Sequence, residues 1–159
     1  MKKSIEPLET MDGSDYPLCR QISVFLENRL GQLLRLTRLF EDVDVHILAL
    51  SVEASVDCSI VRLIVDDPDL AREQLIESGF AISETELLVI ELPEGKRGIM
   101  TVCAALIAGE ININYTYALL SSADEPARIA MQVDNPPAAA SLLTARKFRI
   151  LDQNDLKRP

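Results

Sequence analysis

The chain has 159 residues, 48% of them apolar, and a formal net charge of −9 from 16 basic and 25 acidic side chains. That composition can bury a core and is not that of a disordered chain, while the acidic balance argues against an extended phosphate-binding surface or an anionic membrane, both of which need clustered Lys and Arg. Cys19, Cys58 and Cys103 are odd in number and scattered, with no CxxC pair and no histidine cluster, so they suit small buried hydrophobes in a reducing cytoplasm better than a disulfide framework or a zinc site.

Residues 1–17 are polar, contain Pro7, Gly13 and Pro17, and are expected to form a flexible arm. From Arg20 to Glu27, Ile22, Val24 and Leu26 alternate with Gln21, Ser23 and Glu27, a period of two that predicts a half-buried strand despite Phe25. Asn28-Arg29-Leu30-Gly31 is a turn signal. Gln32 to Glu41 then follows a helical period, with Leu33, Leu36, Thr37 and Phe40 on one face, and Asp42 to Asp44 closes it. Val45 to Glu53 and Cys58 to Val65 read as strands, and the short Ala54–Asp57 connection makes them an antiparallel hairpin. Asp66-Asp67-Pro68 starts a helix: Asp67 can cap it, and Pro68 takes the first helical position, where no N–H is needed. That helix runs from Leu70 to Ser78 and stops at Gly79. Ala81 to Leu88 is a fourth strand.

The same order then recurs. Asp66-Asp67-Pro68-Asp69-Leu70-Ala71 reappears 68 residues later as Asp134-Asn135-Pro136-Pro137-Ala138-Ala139, and Gly79-Phe80-Ala81-Ile82 as Lys147-Phe148-Arg149-Ile150. Asn28-Arg29-Leu30-Gly31 is matched by Lys96-Arg97-Gly98-Ile99, with a spacing of 67 at Gly31 and Gly98. The second copy reads as a strand over Leu87–Pro93, a helix over Gly98–Ala108, strands over Ile111–Leu120 and Arg128–Asp134, a helix from Asn135-Pro136 to Ala145, and a strand over Phe148–Leu151. The chain is therefore predicted to hold two modules of about 65–70 residues, 18–88 and 87–151, followed by a flexible polar tail over 152–159. The β-α-β-β-α-β order gives an α+β fold: two ferredoxin-like repeats, each an antiparallel sheet with both helices on one face. No linker separates the copies, so a rigid pair lying side by side is expected.

Two stretches carry a family resemblance. Phe25-Leu26-Glu27-Asn28-Arg29-Leu30-Gly31-Gln32-Leu33 resembles the strand–loop–helix opening of ACT domains, in which Asp/Glu/Asn-Arg-Pro-Gly separates an apolar strand from an apolar helix. Gly109-Glu110-Ile111-Asn112-Ile113 resembles the Gly-Ile-Asn-Ile start of the second ACT strand, matched in the first copy by Val43-Asp44-Val45-His46-Ile47. Leu30 departs from the usual proline, and Glu94-Gly95-Lys96-Arg97-Gly98 in the second copy lacks it too. The resemblance implies small regulatory modules that bind amino acids and pair into wider sheets. By position it implies a ligand held at Asn28, Arg29, Leu30, Gly31, Gln32 and Leu33, with Asn112 contributed across the pair. The reciprocal set is Gly98 with His46, and Gly95 in place of Asn28 makes the two sites unequal. The chemistry is consistent with this: a glycine turn exposes N–H groups at a helix start, which favours a carboxylate, and Asn28 can both donate and accept.

Each of these residues also has a plain structural reading. Gly31 and Gly98 can simply allow turns, His46 can be a hydrogen-bonded strand residue, and Asn112 and Asn114 can face solvent; Tyr115 and Tyr117 can form an interface patch or pack. No Gly-x-Ser-x-Gly, P-loop, dinucleotide turn or triad around the single histidine is present, so no enzyme and no cofactor is predicted. Met1-Lys2-Lys3 is not followed by an apolar signal segment and no run reaches a membrane span, which predicts a cytoplasmic protein with neither nucleic acid nor membrane as partner. The function expected is amino-acid binding that regulates through ligand-stabilised ACT–ACT pairing, with a homodimer or higher homo-oligomer and a regulated enzyme as partners. The alternatives are a ligand-free oligomerisation module and a regulatory subunit of a biosynthetic enzyme such as acetolactate synthase.

Overall fold

The computed structural model of the chain describes residues 16–158, so the flexible arm expected over 1–17 lies, up to residue 15, outside the described residues. β1 (Cys19–Glu27), α1 (Gln32–Arg38), β2 (Ile47–Ala54), β3 (Cys58–Val65) and α2 (Pro68–Glu77) lead into a long β4 (Ala81–Glu91). α3 (Gly98–Ala108), β5 (Ile113–Ala118), β6 (Arg128–Val133), α4 (Pro136–Ala145) and β7 (Arg149–Leu151) follow. The strands form one antiparallel sheet in the order β2-β3-β1-β4-β6-β5, with β7 also paired to β4.

β4 belongs to both repeats. Its first half, Ala81 to Leu87, pairs with β1, and its second half, Leu88 to Glu91, lies between β6 and β7. The two strands read from sequence over Ala81–Leu88 and Leu87–Pro93 are thus one. Strand side chains alternate faces with a period of two, so Ile82, Leu88 and Ile90 share a face and both helix layers lie on the same side of β4. In the first repeat Ile22, Val24, Val61 and Leu63 pack under Leu36 of α1 and Leu75 of α2. In the second, Leu88, Ile90, Ile129 and Met131 pack under Val102, Leu106 and Leu143.

The helix-free face is also buried. The sheet curls, as strand twist favours, until β2 meets β5: Ala49 bridges Leu119, and the Leu120 N–H donates to the Leu48 carbonyl at 2.7 Å. Cys19, Ile64, Leu87, Val89, Ala130 and Leu151 fill the resulting interior. Polar groups at its edge tie the repeats together. Gln21, fully buried, donates from Nε2 to the Tyr115 hydroxyl at 2.7 Å and accepts from the Tyr117 hydroxyl at 2.7 Å. The Arg62 guanidinium lies 4.1 Å from the Tyr115 ring centre, a cation–π contact across the repeats. Tyr115 and Tyr117 therefore serve an interface inside the chain. Burial raises the pKa of the Tyr117 hydroxyl, which keeps it a neutral donor to Gln21.

The repeats agree in detail. Both hairpins shift register at matching places, Ile47/Ala49 and Ile113/Tyr115. Asp67 accepts from the Leu70 N–H at 3.0 Å and Asn135 from the Ala138 N–H at 3.2 Å, each followed by a proline, as the cap reading requires. Left-handed Gly79 (φ 81°) is matched by Lys147 (φ 65°).

Some boundaries differ from the sequence reading. α1 ends at Arg38, before Glu41, because Leu39, Phe40 and Glu41 donate to carbonyls three residues back, which tightens the chain into turns. β2 and β5 begin later than Val45 and Ile111. The tail, read as flexible because it is polar, is held in place from residue 152 to 158. Gln153 accepts from the Arg20 N–H at 3.1 Å and donates to the Val65 carbonyl at 3.2 Å, and Leu156 is buried.

Leu75→Ala and Leu143→Ala each delete a fully buried side chain and are expected to cost about 3 kcal/mol apiece. Because β4 couples the repeats, both should lower one shared denaturation midpoint followed by circular dichroism. Two separable transitions, one per repeat, would contradict that coupling.

Candidate functional site

The two kinds of helix start differ. α2 and α4 are capped by Asp67 and Asn135, whereas α1 and α3 have no side-chain cap. An uncapped first turn leaves backbone donors without protein acceptors, and the helix dipole adds a partial positive charge there.

At α1 the N-cap is Gly31, with φ 84° and ψ −5°. L side chains rarely adopt that φ, and nothing lies within 4 Å of the place a Cβ would take, so the glycine answers to the backbone and not to crowding. The turn before it is braced locally. Asn28 donates from Nδ2 to the Ser55 carbonyl at 2.8 Å, joining the β1–α1 turn to the β2–β3 turn, and Arg29 pairs with Glu27 at 2.5 Å. Leu30 is fully exposed, Leu33 and Leu34 are exposed, and Gln32 is half-buried.

The second repeat does not reproduce this turn residue for residue. The N-cap of α3 is Arg97, 66 positions after Gly31, and that offset continues through β5. Gly31 therefore matches Arg97, Gly98 matches Gln32, and Asn28 matches Glu94; the sequence alignment of Gly31 with Gly98 is off by one. Gly98 is a packing glycine, since a Cβ there would come within 2.5 Å of the Pro93 carbonyl oxygen. The left-handed residue of this turn is Gly95, at φ 95°. In front of α3 a cleft of about 500 Å³ opens between the β4–α3 turn and the β5–β6 loop, lined among others by Pro93, Glu94, Lys96, Ile99, Asp124 and Pro126.

His46 and Asn112 occupy matching places, just before β2 and β5. The His46 N–H donates to Asp66 Oδ1 at 2.7 Å, its ring Nδ1 lies 2.8 Å from Asp66 Oδ2, and the Asp66 N–H donates to the His46 carbonyl at 3.2 Å. The Asn112 N–H donates to Asp134 Oδ1 at 3.2 Å, and the Asp134 N–H returns to the Asn112 carbonyl at 3.2 Å. These aspartates hold the strand starts, which is why β2 and β5 begin late. Asn112 Nδ2 also donates to Asn114, and Asn114 donates to Gln132. Among the described residues no hydrogen bond links the Asn28–Leu33 turn to Asn112, or Gly98 to His46. The sequence signal for the strand-start aspartates was their place directly before the Asp67-Pro68 and Asn135-Pro136 caps.

A second cleft, of about 440 Å³, lies between the start of α2 and the C-terminal tail and has mixed charge, with Arg20, Asp66, Asp69, Gln153 and Lys157 in its walls. Arg20 reaches Asp69 and Glu84, each at 2.6 Å. Burial opposes the Arg20 charge but these carboxylates outweigh it, so its pKa is raised, and the hydrogen bond from Arg20 lowers that of Asp69. The Cys19 thiol donates to the Leu151 carbonyl at 3.2 Å, and burial pushes its pKa up to about 12, so it is a structural thiol. Among the described residues no group of three or more His, Cys, Asp or Glu side chains could hold a metal ion, and no helix is long and apolar enough to cross a membrane.

A family model described as an ACT domain pair matches residues 18–158. The crystal structure of protein BT0572 from Bacteroides thetaiotaomicron is similar at 27% identity and TM-score 0.84, covering 92% of this chain and 100% of that one. The ligand-free regulatory subunit of aspartate kinase from Thermus thermophilus shares the fold, with TM-score 0.56 and 13% identity over 82% of this chain and 93% of its own. No curated protein matches.

Asp66 is a nearly buried carboxylate with two hydrogen bonds from His46, so Asp66→Ala is expected to lower stability by about 2 kcal/mol. Asp134 is exposed and makes one long bond, so Asp134→Ala should cost less than about 1 kcal/mol. Urea denaturation of the two variants measures the difference, and equal losses would contradict it.

Proposed function

We propose that this chain, which belongs to the ACT domain pair family, is a regulatory protein that binds an amino acid at the uncapped start of its first helix. It has no catalytic activity of its own and acts through a partner or through self-association. The observation that carries this reading is the capping pattern: in both repeats the second helix is capped by its own side chain and the first is not. An α-carboxylate supplies the acceptor that Gly31 cannot, on the N–H groups of Leu33 and Leu34, beside Gln32, whose own N–H donates to the Arg29 carbonyl at 3.4 Å. Asn28 spends its Nδ2 on Ser55 and keeps Oδ1 for the ligand ammonium. Arg29 and Leu30 form the outer wall of the site. Asn112 faces it from a paired repeat, and His46 with the α3 start at Gly98 forms the reciprocal, unequal site.

Ligand binding shifts an equilibrium only through differential affinity for its two states. Within one chain the shared β4 holds the repeats side by side whatever is bound. The pairing that a ligand stabilises is therefore with a second copy or with the regulated partner.

A thermal-shift screen of the twenty amino acids should raise the midpoint for at least one of them in a concentration-dependent way, by about 2.7 kcal/mol of added stability at a hundred times Kd. Gly31→Val forces a β-branched residue into the left-handed region at a cost of about 1–2 kcal/mol, so the variant should fold yet lose the ligand shift. A flat response across all twenty in the parent protein, or an unchanged shift in Gly31→Val, would count against the site.

A further inference from the structure

The outer face of the second repeat carries no charge. α3 has no charged residue from Gly98 to Ala108, and α4 has none from Pro136 to Ala145. Charged residues make up 26% of the chain, and the matching helices of the first repeat carry Arg35 and Arg38 on α1 and Asp69, Arg72, Glu73 and Glu77 on α2. Position by position, exposed Arg35, Arg38 and Glu41 of the first repeat become exposed Thr101, Ala104 and Ile107 in the second. Ile99 and Met100 are more than half exposed and Ile107 is 74% exposed. A helix that is apolar all round is ordinarily buried on every side, and a contiguous apolar patch on a surface marks an interaction site. Since the fold formed in the first repeat with charged helices in these places, the second repeat's core does not require the substitution.

The ends of this face indicate what covers it. At one end, the β4–α3 and α4–β7 connections meet, because β7 pairs with the end of β4. There exposed Lys96, Arg97, Arg146 and Lys147 stand against Glu94 and, across the cleft in front of α3, Asp124 and Glu125, which leaves this end slightly basic. At the other end the start of β5 is tied to the start of α4 by Asn112 and Asp134, and the exposed charges are Glu110 and Asp134. A charge-free face with one basic end and one acidic end is complementary to itself under a two-fold rotation across the helices, which sets each basic end on the other copy's acidic end. The chain carries a net charge of −9, so most other pairings of two copies would bring acidic surfaces together.

We propose that α3 and α4 form a self-association surface on which two copies of this chain pack helix layer to helix layer, related by a two-fold axis. The helices meet through Ile99, Met100 and Ile107, with Ala104 small enough to let them approach closely. This surface is separate from the Asn28–Leu33 turn, so its test does not depend on any ligand.

Sedimentation velocity of the full chain over a range of micromolar concentrations should show a dimer. Ala104→Glu buries a carboxylate in the middle of α3, where the helices approach most closely, and should weaken the dimer by about thirtyfold or more, with an unchanged circular dichroism spectrum. Arg38→Glu, at the exposed first-repeat position matching Ala104, should leave the dimer intact. Reversing one end with Glu110→Lys should weaken association, and adding Lys147→Glu should restore part of it. A parent protein that stays monomeric throughout, a dimer that survives Ala104→Glu, or a dimer lost in Arg38→Glu would overturn the proposal.

Discussion

The structure depends on one unbroken strand. β4 is the last strand of the first repeat and the first strand of the second, and its period of two passes through the junction without a bulge. Three consequences follow from that continuity. Both helix layers must lie on the same side of the sheet. The opposite face of each repeat is brought against the other as the sheet curls, which buries Cys19, Ile64, Leu87 and Val89 together. The relative position of the repeats is fixed by backbone hydrogen bonds, and the Gln21–Tyr115–Tyr117 contacts then lock the interior.

On this frame duplication has left two equal folds with unequal surfaces. The features that make each repeat fold are kept almost position for position: the matching bulges, the Asp67 and Asn135 caps, and the aspartates that hold His46 and Asn112. The features that vary are those on which folding does not depend. The β1–α1 turn is glycine-capped and braced by Asn28, while its counterpart ends in Arg97 and opens onto a cleft. The first repeat's helices are charged outside, while the second repeat's are bare. A module that occurs twice in one chain can keep one copy for a ligand turn and give the other an association face.

Much of this was legible in the sequence, because the signals are local. The alternation of Ile22, Val24 and Leu26 set the face of β1, the Asp67-Pro68 and Asn135-Pro136 pairs placed two helix starts, and the repeat itself gave the order of the strands. Other features depend on contacts across long sequence separations. Leu156 looks like the end of a polar tail until the curled interior provides a place to bury it. Gly98 looks like the partner of Gly31 because both are glycines; only the helix start shows that one opens a turn and the other makes room for the Pro93 carbonyl. His46 is hydrogen-bonded, but just before β2 and not within a strand, and the sequence pattern assigns its partner Asp66 only to the helix start beside it.

The uncapped start of α1 differs from the capped starts of α2 and α4 in its free backbone donors, and that difference can be observed one amide at a time. In a nitrogen-15-labelled sample titrated with the amino acid that stabilises the protein, the amides of Leu33 and Leu34 should shift with ligand concentration. Those of Leu70 and Ala138, already bonded to Asp67 and Asn135, should stay in place. Shifts at Leu70 and Ala138 with Leu33 and Leu34 unmoved would contradict the assignment of the site to the uncapped turn.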